Sequence, residues 1–315
     1  MAGPENLSRT LVRLFALGLV FLAIMLLPAL AKRPAPVIVA SKADTEGALL
    51  GSLIALVLER EGIPVETRLQ LGPTRAVRSA ILSGAIHVYP EYTGNGAFFH
   101  DMAESPAWRS PTSAYETVRR LDAERHGLVW LERAPANNTW LIAVRGDVAR
   151  RDNLLTMEDF ARAVRQSAAI RLAASAEFVE SPAALPAFER AYDFRFPRDR
   201  IVVLSGGDTA HTMRAAAQGA GGVNAAMVYG TDGAIAALDL VVMKDTRGAQ
   251  IVYEPAPVIR AEVLQRHPGV AKALAPVFAS LTMTRLQALN AEIVIEGRPP
   301  REVAGRYLEQ VVSPR

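Results

Sequence analysis

Cysteine is absent from the 315-residue sequence. Its absence excludes disulfide bonds, thiol catalysis, thiolate metal sites and a lipid-anchored cysteine behind an export signal. Histidine is scarce as well: the five histidines are scattered, and no two of them stand four residues apart. Zinc sites in proteins usually draw on such ligands, so we expect neither a bound metal nor another cofactor.

Neither sign of charge is in clear excess. The chain has 35 Lys and Arg residues against 32 Asp and Glu residues, which gives a net charge of +3. Proteins that bind nucleic acids usually carry a larger basic excess or basic clusters, so we expect no nucleic-acid partner. Common catalytic motifs are also missing, since the sequence contains no G-x-S-x-G elbow, P-loop, HExxH or dinucleotide fingerprint.

Long hydrophobic runs are confined to the N-terminus. Arg9 and Arg13 precede an apolar run over 14–27, and Ala29-Leu30-Ala31 follows as a small-x-small cleavage pattern. This order predicts a secretory signal peptide over residues 1–31 that is cleaved near Ala31. The run is short for a membrane span, which needs ~20 residues, although an uncleaved anchor is an alternative. We expect the exported, cysteine-free mature chain in the periplasm.

After the signal, short apolar runs alternate with helical patterns. The predicted strands are Val37–Ala40, Val65–Leu71 and Ile86–Tyr89, with helices over about 45–61 and 74–83 between them. This β-α-β-α-β order predicts a parallel α/β sheet. The pattern restarts near Thr139 without a linker, so we predict two α/β lobes joined by crossing strands. The cleft between the lobes is the expected ligand site.

Tyrosine and tryptophan concentrate at the ends of predicted strands. These residues are Tyr89, Tyr92, Trp140, Tyr229 and Tyr253. Each ring alone is typical of ordinary packing, but together they predict a cleft lined by aromatic side chains. Aromatic faces suit a quaternary ammonium ligand, which has no N–H to donate and is attracted by ~0.5–2 kcal/mol per ring. A sugar site is an alternative, but it would also need convergent Asp, Asn and Arg groups.

Two other features have both a functional and a structural interpretation. Ser205-Gly206-Gly207-Asp208-Thr209 is suited to open a helix and hold an anion, but a plain turn with a helix cap is the preferred interpretation. Glu91 beside Pro90 is a candidate acid–base group, although a solvated or cap-bonded carboxylate is the simpler interpretation. An enzyme that uses Glu91 or Asp208 on a small cationic substrate therefore stands as an alternative to a binding protein.

Five segments together carry a family resemblance. They are Ala40-Ser41-Lys42 with Thr45-Glu46-Gly47, then Tyr89-Pro90-Glu91-Tyr92-Thr93-Gly94-Asn95, Asn137-Asn138-Thr139-Trp140, Tyr229-Gly230-Thr231-Asp232-Gly233 and Tyr253-Glu254-Pro255-Ala256-Pro257-Val258-Ile259-Arg260. With these segments in order, the chain resembles the substrate-binding proteins of osmoprotectant ABC importers, the ProX/OpuCC group and most closely its YehZ (OsmF) branch. The resemblance covers nearly all of residues 37–312.

The resemblance implies the fold and the function. It implies a two-lobed α/β periplasmic binding protein of type II, with a first lobe over 37–138 and 244–315 and a second over 139–243. The expected protein is a monomer without catalytic activity. It binds a quaternary-ammonium osmolyte, such as glycine betaine or choline, and delivers it to an ABC permease in the inner membrane. A different amine or a sugar is the alternative ligand.

The resemblance also implies a cation site. It assigns an aromatic cage to Tyr92, Trp140, Tyr229 and Tyr253, with Trp140 in place of a family tyrosine. Tryptophan keeps the ring face and is the stronger cation–π partner.

The opposite end of the expected ligand site departs from the family pattern. Lys42 is the implied ligand-contacting lysine, and Asn95 replaces a family threonine. The family usually has an arginine shortly after a Glu-Phe pair, where it clamps the ligand carboxylate. Here Ser181 occupies that place, so we predict a weakened anion end unless another arginine, such as Arg214 or Arg75, reaches the same point.

Overall fold

The structure, a computed structural model, describes residues 35–166, 169–204 and 209–312. The predicted signal peptide lies outside the described residues, and so do residues 205–208 of the candidate anion site. The chain from Val37 onward forms one compact unit that contains two β-sheets. None of the helices in the described ranges is long and apolar enough to cross a membrane.

The first sheet has five strands in the order β2-β1-β3-β10-β4. They are β1 (Val37–Lys42), β2 (Val65–Gly72), β3 (Val88–Tyr92), β4 (Leu128–Trp130) and β10 (Pro255–Arg260). β1 is parallel to β2 and β3, whereas β10 is antiparallel to β3 and β4. The C-terminal part of the chain therefore returns to complete the sheet that the N-terminal part begins.

The second sheet repeats this arrangement, in the order β7-β6-β8-β5-β9. Its strands are β5 (Trp140–Arg145), β6 (Leu172–Ser175), β7 (Ile201–Leu204), β8 (Ala225–Tyr229) and β9 (Leu240–Val242). β6 is parallel to β7 and β8, whereas β5 is antiparallel to β8 and β9. The predicted two-lobed α/β architecture is confirmed.

Helices flank both sheets. Those of the first half are α1 (Thr45–Arg60), α2 (Thr74–Leu82), α3 (Gly96–Phe99), α4 (Pro111–His126), α5 (Gly146–Arg151) and α6 (Met157–Arg165). Those of the second half are α7 (Ala176–Glu180), α8 (Leu185–Tyr192), α9 (Thr209–Gln218), α10 (Ala234–Ala237), α11 (Ala261–Arg266), α12 (Gly269–Ala279), α13 (Met283–Val294) and α14 (Pro300–Val312). Short 3-10 turns occur at Thr93–Asn95, Pro106–Arg109, Arg198–Arg200 and Ala220–Gly222.

Helix α1 follows β1 directly, and its two ends are well defined. Its N-cap is Asp44, whose side chain accepts a 2.6 Å hydrogen bond from the Gly47 backbone N–H. The helix ends before Gly62, which has the positive φ of 73° that a residue without Cβ adopts at little cost. Because α1 starts directly after β1, the residues between Lys42 and Glu46 lie at the carboxyl end of a strand.

The chain crosses between the sheets twice, over residues 131–139 and 243–254. The crossing segments contact each other: Asn138 N–H donates to the Tyr253 carbonyl at 2.9 Å, and the Thr139 hydroxyl donates to the Ile251 carbonyl at 2.8 Å. No regular strand is assigned within either segment, in contrast to the crossing strands that we expected, and side chains supply part of the hydrogen bonding between the two segments. The lobe boundaries at 138/139 and 243/244 fall within these segments and stay a prediction.

Candidate ligand-binding site

A cavity of about 1130 Å³ has a lining that draws on both sheets and their helices. Every residue that the family resemblance assigned to the ligand site lines it: Lys42, Tyr92, Asn95, Trp140, Ser181, Tyr229 and Tyr253. The structure therefore brings together seven side chains that are spread over more than 200 positions of the sequence. Pockets of this kind, concave and between two lobes, are typical small-ligand sites.

Trp140 and Tyr229 form a continuous aromatic wall of the cavity. They are direct cross-strand partners on the antiparallel pair β5 and β8, which places both side chains on the same face of the sheet. Their ring centroids are 6.3 Å apart with an angle of 23° between the planes. Phe178 packs edge-on against Trp140 at 6.1 Å and supports it from behind the wall.

Tyr92 is held more tightly than the other predicted cage rings. Only 7% of the residue is exposed, and its hydroxyl donates a 2.7 Å hydrogen bond to Glu46. The Lys42 ammonium lies 4.5 Å from the centre of its ring. Since a cation already occupies one face, Tyr92 offers a ligand less aromatic surface than Trp140 or Tyr229.

Glu91 is neither solvated nor a helix cap, so our structural interpretation of it was wrong. The residue is 0% exposed and forms an ion pair with Lys42. It also accepts hydrogen bonds from the Tyr92 backbone N–H at 2.7 Å and from the Asn95 side chain at 2.8 Å. A carboxylate buried this deeply needs such partners, and its position on β3 places it opposite the lysine at the end of β1.

Tyr89, in contrast, does not belong to the aromatic lining that we predicted from strand ends. It is 0% exposed and packs in a separate core cluster with Trp108 and Trp130. Its hydroxyl donates to Glu91 at 3.1 Å. Tyr89 thus supports the ion pair from the core side, whereas Tyr92, three residues later, lines the cavity.

Tyr253 is presented by the second crossing segment. Its backbone N–H donates to the Asn137 side-chain oxygen at 2.8 Å, which fixes the ring-bearing residue against the first crossing segment. Burial raises the pKa of Tyr253 well above the usual range, and burial also raises the pKa of Tyr229. Both phenols therefore stay neutral, and their rings rather than phenolate charges face the cavity.

Glu46 belongs to the first motif of the family resemblance, but we had not predicted it as a residue of the ligand site. It lies in the first turn of α1, is nearly fully buried, and lines the cavity. Besides Tyr92, Asn138 and Asn290 donate to its carboxylate, at 3.2 and 2.7 Å. Burial is the main cause that raises the pKa of Glu46 from its usual 4.5 to about 7. An acidic residue in the first turn of a helix is normally explained by the helix dipole. The sequence position of Glu46 therefore gave no reason to expect a buried carboxyl group.

Asn290 is the second cavity residue that sequence reasoning missed. It lies on α13, is buried, and also donates to the Thr231 carbonyl at 2.9 Å. Its side-chain oxygen, like that of Asn138, has no hydrogen-bond partner. Asn290 therefore connects Glu46, which follows the first sheet's β1, with Thr231, which follows the second sheet's β8. No pattern in the sequence marks a lone asparagine in an amphipathic helix for this role.

The only described cluster of three potential metal ligands, within residues 35–166, 169–204 and 209–312, is His100, Asp122 and His126. It lies apart from the cavity lining. Its carboxylate is already bound by Arg78 at 2.8 and 2.5 Å and by the Trp130 indole at 2.7 Å. This arrangement is that of a buried, fully hydrogen-bonded ion pair, which leaves the carboxylate little capacity to bind a metal.

Comparison with known proteins decides the family. The family described as the substrate binding domain of ABC-type glycine betaine transport systems matches residues 35–310. The chain belongs to this family. The predicted resemblance is thereby confirmed, and the two-lobed fold is that of this family.

Individual relatives within this substrate-binding family agree. The chain is 52% identical over 300 residues to the glycine betaine-binding protein YehZ of Escherichia coli (strain K12), covering 95% of this chain and 98% of that protein. It is 31% identical to a glycine-betaine-binding protein of Pseudomonas aeruginosa, covering 86% of each. The solved structure of apo YehZ from E. coli covers 88% of this chain and 98% of its own, with a TM-score of 0.80. All of these relatives are binding proteins rather than enzymes.

Proposed function

We propose that this protein is a periplasmic receptor that binds a quaternary-ammonium osmolyte, such as glycine betaine or choline, in the cavity between its lobes. In this proposal the loaded receptor delivers the osmolyte to an ABC permease in the inner membrane. Family membership supports the ligand class, because the two relatives described above are named as glycine betaine-binding proteins.

The observation that carries the proposal is the aromatic wall of Trp140 and Tyr229 in the cavity. A trimethylammonium group has no N–H, so carboxylates and carbonyls cannot hold it by ordinary hydrogen bonds. Aromatic faces attract it by ~0.5–2 kcal/mol each, depending on desolvation. The wall supplies two such faces side by side, and we propose that Tyr253 and Tyr92 complete the cage.

Lys42, Asn95 and Ser181 are the proposed contacts for the other end of the ligand. Lys42 and Asn95 are already tied to Glu91, so they form a rigid polar edge. Ser181 follows α7 directly and brings a short, uncharged side chain to the place where the family usually has an arginine. This combination supports a site that retains the cation-binding end of the family but binds the ligand carboxylate more weakly.

The surroundings of the acidic residues support a receptor without catalytic activity rather than an enzyme. Glu91, the candidate acid–base residue, is held in a buried ion pair and is therefore unsuited to exchange protons with a substrate. Glu46 lines the cavity, but its two oxygens accept hydrogen bonds from three side chains. Asp208, the other candidate, lies outside the described residues.

Export and oligomeric state follow from the same proposal. The N-terminal pattern up to Ala31 supports cleavage there and a mature receptor in the periplasm, which we propose acts as a monomer. Mass spectrometry of the protein from a periplasmic extract tests this: we expect a chain that starts at or near Lys32. A chain that still starts at Met1, recovered from the membrane, would contradict it.

A thermal-shift panel tests the proposed ligand class. Ligand at 100 times its Kd adds ~2.7 kcal/mol of stability, so glycine betaine or choline should raise the Tm. The matched control is 3,3-dimethylbutan-1-ol, the neutral isostere of choline, which has carbon in place of nitrogen and should give no shift. Equal shifts with the isostere, or a shift with sugars alone, would contradict a cation site.

A further inference from the structure

Arg214 is the one cavity-lining cation of the described chain without an ionic partner. Two basic residues line the cavity, Lys42 and Arg214. Lys42 is neutralised by Glu91, whereas Arg214 is exposed and forms no ion pair with any described residue. An exposed guanidinium at the wall of a ligand cavity is free to bind an anionic group that enters.

The position of Arg214 on α9 directs it into the cavity. Thr209, Ala210, Met213 and Arg214 all line the cavity, and this spacing places them on one face of a helix. Thr212 fixes the helix to the sheet, because its hydroxyl donates to the Met227 carbonyl of β8 at 2.6 Å. Arg214 is therefore carried by a helix that cannot turn away from the cavity without breaking this contact.

The direction of α9 brings the guanidinium toward the aromatic wall. β6, β7 and β8 are parallel, and α9 connects the carboxyl end of β7 to the amino end of β8. The helix therefore begins at the sheet edge where Tyr229 ends β8. Side chains on a helix lean toward its N-terminus, so the long Arg214 side chain leans toward that same edge.

The geometry points to Arg214 as the residue that binds the carboxylate of a betaine ligand, a role for which the family uses an arginine at the place of Ser181. This inference rests on the proposed function. A guanidinium pairs with a carboxylate through two parallel hydrogen bonds. Arg75, the other candidate from the sequence, does not line the cavity.

The remaining charges of the cavity make such a group necessary for a zwitterion. Its other charged lining residues are acidic: Asp44, Glu177 and Asp232, together with Glu46, which burial keeps partly protonated near neutral pH. These groups favour a bare cation such as choline and oppose a ligand carboxylate. With Lys42 neutralised, Arg214 is the lining residue that can offset this repulsion and so select glycine betaine over choline.

Calorimetry with two ligands tests the role of Arg214. Glycine betaine and choline share the trimethylammonium group and differ at the other end, where one has a carboxylate and the other a hydroxyl. Loss of a charge-assisted hydrogen bond predicts that Arg214→Gln binds glycine betaine about 10- to 150-fold more weakly. Choline binding should stay within about twofold or become tighter, since a positive charge is removed.

Arg75→Gln is the matched control, because Arg75 is also exposed but lies outside the lining. It should bind both ligands like the parent protein. Unchanged betaine binding by Arg214→Gln, an equal loss of both ligands, or a selective loss in Arg75→Gln would overturn the assignment. A parent protein that binds neither ligand would overturn the proposed function and this inference with it.

Discussion

The hydroxyl of Tyr92 donates a 2.7 Å hydrogen bond to the carboxylate of Glu46. The bond joins the end of β3 to the first turn of α1 and fixes a proposed cage ring. Burial raises the pKa of Glu46 to about 7, even though the hydrogen bonds that it accepts act in the opposite direction. A group that positions the ligand site therefore changes its charge near neutral pH.

Glu46 should make the folded state less stable as the pH rises from about 4.5 to about 7. In this window the folded protein still holds the proton, whereas the unfolded chain has released it. The contribution of Glu46 to the free energy of unfolding is complete below pH 4.5. It falls by up to about 3 kcal/mol as the pH rises through the window, and it stays constant at higher pH. Urea unfolding of the parent and of Glu46→Gln between pH 4.5 and 8 measures the difference.

The glutamine variant is a suitable control because it keeps the shape but cannot titrate. The Asn290 side-chain oxygen, which has no partner, can accept a hydrogen bond from the new amide if the Asn290 amide rotates. The rotation breaks the bond to the Thr231 carbonyl, but this cost does not depend on pH. The free energy of unfolding of the parent, relative to this variant, should decrease across the window. A difference that does not change with pH would show that Glu46 has an ordinary pKa.

Trp140→Ala should weaken binding of quaternary amines by about 1–3 kcal/mol, roughly 5- to 150-fold in Kd. The variant loses both a cation–π partner and buried apolar area. Trp140→Phe keeps a ring face, so its loss should be much smaller. Calorimetry with glycine betaine and choline on both variants checks this, and an alanine variant that binds both ligands like the parent would exclude Trp140 from the cage.

Ser181→Arg should strengthen betaine binding, and by more in an Arg214→Gln background than in the parent. Both arginines would bind the same ligand carboxylate, so their effects on the binding free energy should not add. The single change should gain up to about 1.5–3 kcal/mol where no other arginine acts. Equal gains in both backgrounds, measured by calorimetry, would show that the two positions contact different groups.

Ligand binding should draw the lobes together. The hinge is predicted near Thr139–Val144 and Leu240–Lys244, where the strands adjoin the two crossing segments, and a permease must distinguish a loaded from an empty receptor. Small-angle scattering should show a smaller radius of gyration with saturating glycine betaine than without ligand. An unchanged radius at a ligand concentration that calorimetry proves saturating would contradict closure.

The sequence predicts the α/β order because short apolar runs and capped helices are local features. Asp44 caps α1 as its position predicts, and Tyr229 ends a strand where the motif begins. Helix α4 is not predicted, since its buried side is limited to a few residues such as Val118 and Leu121 among many charged ones. Tertiary packing, rather than a clear apolar face, determines this helix.

The candidate site is predicted where motifs carry it and missed where contacts join distant segments. Lys42 and Glu91 lie 49 positions apart and pair only because β1 and β3 are neighbours. Glu46 and Asn290 are 244 positions apart. The sequence around each of these residues does not indicate such long-range contacts. The burial of Glu91 and Glu46 is therefore apparent only in the folded structure.

A crystal structure of the glycine betaine complex tests the central claim most directly. We predict the trimethylammonium group against the faces of Trp140 and Tyr229, with the carboxylate turned toward Arg214. A ligand bound away from this aromatic wall, or an orientation with the carboxylate against the two rings, would contradict the account.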